Sequence, residues 1–211
     1  MIYNQNIALQ TAEHLLQIKA VKLSPQDLFT WASGIKSPIY CDNRVTLSFP
    51  EIRKFIKNHF VSAIRETLGI PDLIAGVATG GIPQGALVAE ALELPFAYVR
   101  TSRKDHGLTN QIEGQVHAGQ SVVVVEDLIS TGKSSLDVVT ALREAGCRIM
   151  GMVAIFTYNL PISERGFLES GCKLITLTDY ETLITKALEI NYINEADVKI
   201  LKEFKQSLSN K

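Results

Sequence analysis

The stretch from Val122 to Ser135, Val-Val-Val-Val-Glu-Asp-Leu-Ile-Ser-Thr-Gly-Lys-Ser-Ser, concentrates residue types that can do chemistry. The valines read as a buried strand, and the hydroxyls of Ser130, Thr131, Ser134 and Ser135 surround Gly132 where a helical pattern begins. In an open parallel sheet, ligands gather beyond the carboxyl ends of strands, and a helix that starts there aims its unpaired amides at them. Those amides, the hydroxyls and a glycine that permits close backbone approach make a seat for a phosphate. Glu126 and Asp127, read as the end of the strand, would repel a phosphate set directly against them. They fit instead as acceptors for sugar hydroxyls or as partners of a hydrated cation. A ribose phosphate satisfies both halves.

Two other readings compete for the same residues. Gly132-Lys133-Ser134 matches the end of a nucleotide-triphosphate P-loop, a pattern that also requires a glycine five residues before Gly132. Asp127 stands there, and a carboxylate would intrude where backbone amides must wrap a polyphosphate. The plainer reading is of two acids that end a strand and cap a helix.

A second polar stretch runs from Arg100 to Gly114 and contains Arg103, Lys104 and His106, with glycines at 107 and 114. An excursion of this length between strands is either a solvated loop or a functional lid. Following a strand of the sheet that holds the phosphate loop, a cationic lid suits a leaving diphosphate and excludes water.

The elements that must position these groups follow from apolar runs bounded by turn residues. Strands are expected at Leu73 to Ala78, Phe96 to Val99, Val122 to Val125, Met150 to Phe156 and Leu174 to Leu177. All are apolar on both faces, which indicates a parallel sheet covered by helices on each side. Helices are expected at Ile82 to Leu92 and at Ser134 to Glu144, the latter stopped by Gly146. Before the sheet come an amphipathic helix within Met1 to Ala20 and another at Glu51 to Leu68, flanking the segment Phe29 to Pro38. Asn194 reads as the N-cap of a last helix with Val198, Leu201, Phe204 and Leu208 on one face. The expectation is one α/β domain over residues 1–211: a hood region over 1–70, a core sheet over 71–180 and C-terminal helices over 181–211.

Val123 to Ser135 resembles the signature of the type I phosphoribosyltransferases, with its hydrophobic strand, acidic pair and Thr-Gly loop. Tyr98 to Gly107 is similar to the mobile loop of the orotate phosphoribosyltransferases within that family, as are Phe29-Thr30, Ser33-Gly34 and Ser37-Pro38. The resemblance spans about Leu28 to Asn159. It implies a central parallel sheet flanked by helices with a small hood built from the N-terminal region and chain ends. It implies transfer of ribose 5-phosphate from 5-phosphoribosyl diphosphate to orotate, with Mg2+ as cofactor, giving orotidine 5'-phosphate and diphosphate for pyrimidine biosynthesis. On this resemblance Arg100, Lys104, His106 and the run Glu126, Asp127, Leu128, Ile129, Ser130, Thr131, Gly132, Lys133, Ser134 contact 5-phosphoribosyl diphosphate. Asp127, Lys104 and His106 are its catalytic groups, and Ser130 and Lys36 meet orotate. A homodimer with shared sites is also implied. The chain departs from better-known members at Ala32 and Gly80, where they carry lysine, and near Tyr158-Asn159, where a base-contacting arginine has no counterpart.

Bulk properties narrow the alternatives. The 21 basic and 22 acidic side chains leave a net charge of -1, which advertises neither a nucleic-acid nor a membrane partner. Cys41, Cys147 and Cys172 lack metal-ligand spacing and fit free thiols in a reducing cytoplasm. The same chemistry on a purine base and a non-catalytic regulator that senses 5-phosphoribosyl diphosphate stay as rival functions.

Overall fold

A computed structural model describes residues 1–31, 34–100 and 111–209. In chain order the elements are α1 (Gln5–Gln17), β1 (Val21–Leu23), β2 (Phe29–Thr30), β3 (Lys36–Ser37), β4 (Ile39–Cys41), a 3-10 turn (Asn43–Ser48) and α2 (Pro50–Thr67). They continue with β5 (Leu73–Val77), α3 (Gly81–Leu92), β6 (Phe96–Val99), β7 (Ile112–Glu113), β8 (Ser121–Ile129) and α4 (Lys133–Glu144). Then follow β9 (Arg148–Thr157), α5 (Pro161–Glu169), β10 (Leu174–Asp179), α6 (Tyr180–Glu189) and α7 (Glu195–Ser209).

The central sheet has the order β10-β9-β8-β5-β6-β7. Its strand pairs are parallel except the last, where the short β7 returns antiparallel to β6. This edge strand departs from the expectation of an all-parallel sheet, because two residues after a long excursion give no periodicity to read.

Side chains alternate between the two faces of a strand, and both sets are buried here. Val122, Val124, Met152 and Ala154 pack with Val138, Val139 and Leu142 of α4 and Phe167 of α5. Val123, Val125, Val153 and Ile155 pack on the other face with Leu15 of α1, Phe60 and Ile64 of α2, Val88 of α3 and Leu183 of α6. Helices α1 and α2 therefore cover the central sheet itself, which redraws the expected 1–70 hood. Only the stretch from β1 through the 3-10 turn, with its small antiparallel pairs β1–β4 and β2–β3, lies outside that layer. Amphipathic helices bury their apolar stripe on the largest apolar surface available, and that surface is the sheet.

Local stop signals act as read. Gly146 adopts φ 84, and the amides of Gly146 and Cys147 donate to Arg143 and Leu142 at 2.9 and 3.0 Å, closing α4 with a Schellman turn. Asn194 and Asp197 exchange side-chain bonds with each other's amides at 3.0 and 3.2 Å, a reciprocal cap on α7.

α7 is held to α6 by the buried Tyr180, whose hydroxyl donates to the Leu201 carbonyl at 3.0 Å. Tyr180→Phe keeps the ring and loses this bond, so urea unfolding should show a loss of about 1 kcal/mol.

Candidate functional site

The strand order reverses between β5 and β8. From β5 the chain moves to β6 on one side, and from β8 it moves to β9 and β10 on the other. A crevice opens where such crossovers part, beyond the carboxyl ends of the strands. Both helices that leave this point, α3 after β5 and α4 after β8, begin at glycines, Gly80 and Gly132. Neither residue has a side chain to cap the first-turn amides; in α3 the Ile82 amide donates to the Thr79 carbonyl at 3.3 Å and Pro83 carries no N–H, so the donors open to an anion lie mainly in the first turn of α4. Gly132 sits at φ 79, where a side chain would be strained, and its Cβ would press on Phe167 at 3.0 Å. Thr131, Lys133 and Ser134 are exposed around it and Ser130 is half-buried.

β8 runs to Ile129 and so carries Glu126 and Asp127 within the strand, not at its end. The cause is local: Leu128 pairs with Phe156 and Ile129 with Thr157 on β9, and the Ile129 side chain is fully buried. The two acids have different surroundings, although their carboxyl groups interact with each other. Glu126 is buried, and it accepts from Ser135 Oγ at 3.0 Å and from the Asp127 amide at 2.9 Å. Asp127 lies over the loop that follows β5, with its carboxyl carbon 2.3 Å from where a Cβ on Gly80 would be. A side chain at residue 80 would need the space that Asp127 fills. Gly81 is equally tight, since its Cβ would meet the Val125 carbonyl at 2.3 Å.

Burial, reinforced by the charge of Asp127, pushes the Glu126 carboxyl well above its ordinary range. Burial also raises Asp127, with the bond to Glu126 and the charge of Arg44 pulling it back. The pair titrates as a unit. Each group favours its carboxylate form more once donors or a cation face it.

The 3-10 turn is tied to this strand by the buried Asn43, whose Nδ2 donates to the Asp127 carbonyl at 2.7 Å. Next to it, Asp42 accepts a two-pronged pair from Arg44 at 2.7 and 2.9 Å. Beside the tie lies a pocket of about 240 Å3 lined by Trp31, Tyr40, Cys41, Leu128, Ser130 and Tyr158. The Trp31 indole N–H donates to the Ile39 carbonyl at 3.0 Å, which holds the ring on the pocket wall. Its width and aromatic walls suit a planar heterocycle.

Other expected site residues stand further apart. Arg100 follows β6, and its guanidinium is paired with Glu113 at 2.5 Å. Lys36 donates to Thr30 Oγ1 at 2.7 Å across the β2–β3 pair and is not among the residues that line the pocket. Lys104 and His106 lie outside the described residues, as does the rest of 101–110. Sequence reading missed Asn43, Tyr40 and Tyr158 as site residues. An asparagine beside Asp42 and aromatic residues near strand ends were visible, but only the fold shows that Asn43 reaches Asp127 and that the two tyrosines share a pocket with Ser130.

A family model described as "Phosphoribosyl transferase domain" matches residues 48–181. The orotate phosphoribosyltransferase of Bacteroides fragilis is 54% identical over 202 residues, which cover 96% of this chain and 95% of that protein. The orotate phosphoribosyltransferase of Listeria monocytogenes serotype 4b is 54% identical over 205 residues, covering 97% and 98%. Among solved structures, orotate phosphoribosyltransferase from Aeropyrum pernix superposes with a TM-score of 0.74 at 27% identity, covering 87% of this chain and 99% of that one.

The raised Glu126 carboxyl has a signed consequence for stability. Below its ordinary value near 4.5 both folded and unfolded chains hold the proton. As pH rises above that value the unfolded chain releases the proton first, so ligand-free stability falls until the folded group ionises. Glu126→Gln removes this slope, and Ser135 can reverse its hydroxyl to accept from the new amide. The melting temperature of the ligand-free variant should match wild type at pH 4 and exceed it increasingly from pH 5 upward; a parallel pair of curves would contradict this.

Proposed function

We infer, for a chain that belongs to the phosphoribosyl transferase family and within it to the orotate phosphoribosyltransferases, that it transfers ribose 5-phosphate from 5-phosphoribosyl diphosphate to orotate. The products are orotidine 5'-phosphate and diphosphate. The observation that carries the reading in this chain is the convergence of two uncapped helix starts and a carboxylate pair at the switch point, with an aromatic pocket alongside.

Displacement at the anomeric carbon builds positive charge on the sugar and negative charge on the departing diphosphate, so the protein's task is positioning and electrostatics. The α4 amides with Ser130, Thr131, Gly132, Lys133 and Ser134 hold the 5'-phosphate, and the backbone of Thr79-Gly80-Gly81 offers amides to the diphosphate. Glu126 and Asp127 accept from the ribose hydroxyls, which add donors to those that Ser135 and the Asp127 amide already give Glu126. Arg100, Lys104 and His106 meet the leaving diphosphate, with Arg100 exchanging its Glu113 partner for phosphate oxygens. Asp127, Lys104 and His106 are the catalytic groups of this scheme. Orotate lies against Trp31, with Ser130 and Lys36 as further contacts.

An Mg2+ ion keeps much of its water and binds through one or two carboxylates with substrate oxygens. Glu126 and Asp127 are the hard oxygen donors in reach of such an Mg2+ ion, which when bound offsets charge on the diphosphate. A homodimer with shared sites and a cytoplasmic location complete the reading. The family's mobile loop supports the shared sites, and the free cysteines Cys41, Cys147 and Cys172 suit a reducing compartment.

The deciding assay follows orotate absorbance with 5-phosphoribosyl diphosphate and Mg2+, beside adenine, hypoxanthine and uracil. Orotate alone should turn over, and EDTA should abolish the reaction; turnover of a purine instead would overturn the base assignment. Asp127→Asn should lower kcat on the order of 10²-fold or more while the protein stays folded. Mixing His106→Ala with Asp127→Ala should restore part of the activity after subunit exchange, and no recovery despite proven exchange would count against shared sites.

A further inference from the structure

Tyr158 stands just beyond the carboxyl end of β9 and is 3% exposed. Its ring is fixed by the fold. Trp31 meets it edge-on with centroids 5.8 Å apart, Phe156 lies perpendicular at 5.3 Å, and Tyr180 packs at 5.8 Å. Its amide donates to the Ile129 carbonyl at 3.0 Å, which pins it to the last residue of the acid-bearing strand.

The hydroxyl is treated differently. Buried phenols normally find a hydrogen-bond partner, and the neighbouring Tyr180 does so through Leu201. Tyr158 has no side-chain hydrogen bond among the described residues, yet it lines the pocket that holds Ser130 and Trp31. None of the described residues lining that pocket is cationic. Burial foremost raises the phenol well above its ordinary range, so it remains a protonated donor.

We propose that the Tyr158 hydroxyl is a specificity-determining contact for the base, donating a hydrogen bond to an oxygen of the planar anion that occupies this pocket. The proposal rests on the orotate reading and deepens it. Beside the Lys36 contact of that reading, the neutral hydroxyls of Tyr158 and Ser130, set in an aromatic frame, select the base within the pocket. A site built to hydrogen-bond a substrate group discriminates strongly against a base that lacks it, because the buried donor is then left unpaired. The Tyr158 hydroxyl is not among the fully enclosed polar atoms without a partner; it opens toward the pocket, where water can satisfy it until the substrate takes its place.

Tyr158→Phe isolates the hydroxyl, since the ring contacts with Trp31, Phe156 and Tyr180 survive. The fold makes no use of the hydroxyl, so the melting temperature should stay at the wild-type value. A lost hydrogen bond to a charged acceptor should raise KM for orotate about 10- to 100-fold, with KM for 5-phosphoribosyl diphosphate unchanged. An unchanged orotate KM overturns the proposal, and so does a lowered melting temperature, which would assign the hydroxyl to the fold. Wild-type enzyme is assayed first: if it fails to consume orotate, the activity reading has failed, and the proposal with it, before the variant is made.

Discussion

The start of α3 lies directly on β8 because residues 80 and 81 have no side chains. A Cβ on Gly81 would fall 2.3 Å from the Val125 carbonyl, and one on Gly80 would fall on the Asp127 carboxyl. Packing at this distance cannot be relieved by rotating a side chain, since one of the two surfaces is backbone. It brings the helix start that follows β5 against the strand that feeds α4. The Gly80-Gly81 backbone and the uncapped start of α4 therefore border one crevice, with the Asp127 carboxyl over Gly80. Displacing α3 would separate two half-sites, neither of which holds both ends of a phosphorylated, diphosphate-bearing sugar.

The rest of the molecule supports that contact from outside. The sheet is covered on both faces, so β5 and β8 have no freedom to slide against each other without exposing apolar surface. Asn43 extends the same rigidity to the small strands, by donating to the Asp127 carbonyl from a buried position. On the far side of the pocket the chain of rings from Phe204 on α7 through Trp31 to Tyr158 connects the helical layer to the wall of the base pocket. In the proposed scheme phosphate recognition is built from backbone at one switch point, and base recognition from side chains contributed by several distant elements.

This division decides what was legible in the sequence. Val122 to Ser135 could be read because its strand, acids, glycine and helix start are consecutive, and their spacing alone fixes which groups face outward. The five strands and the cover of helices were legible from apolar runs for the same local reason. The reversal of strand order between β5 and β8 was not, since it depends on pairings between residues far apart in the chain. Neither was the pocket, where Trp31 and Tyr40 meet Ser130 and Tyr158 only after the sheet has formed. The length of β8 was underread because an acid pair resembles a strand end, whereas Leu128 and Ile129 continue the pairing beyond it.

The chain contains a single tryptophan, and the fold places it on the wall of the aromatic pocket, with its N–H engaged by the Ile39 carbonyl and its ring in T-shaped contact with Tyr158 and Phe204. Indole emission from this protein therefore has one origin. No second fluorophore of that kind in the core dilutes the signal, so intensity and colour track the polarity and occupancy of one small volume. The molecule carries its own optical gauge of that pocket, without an attached dye.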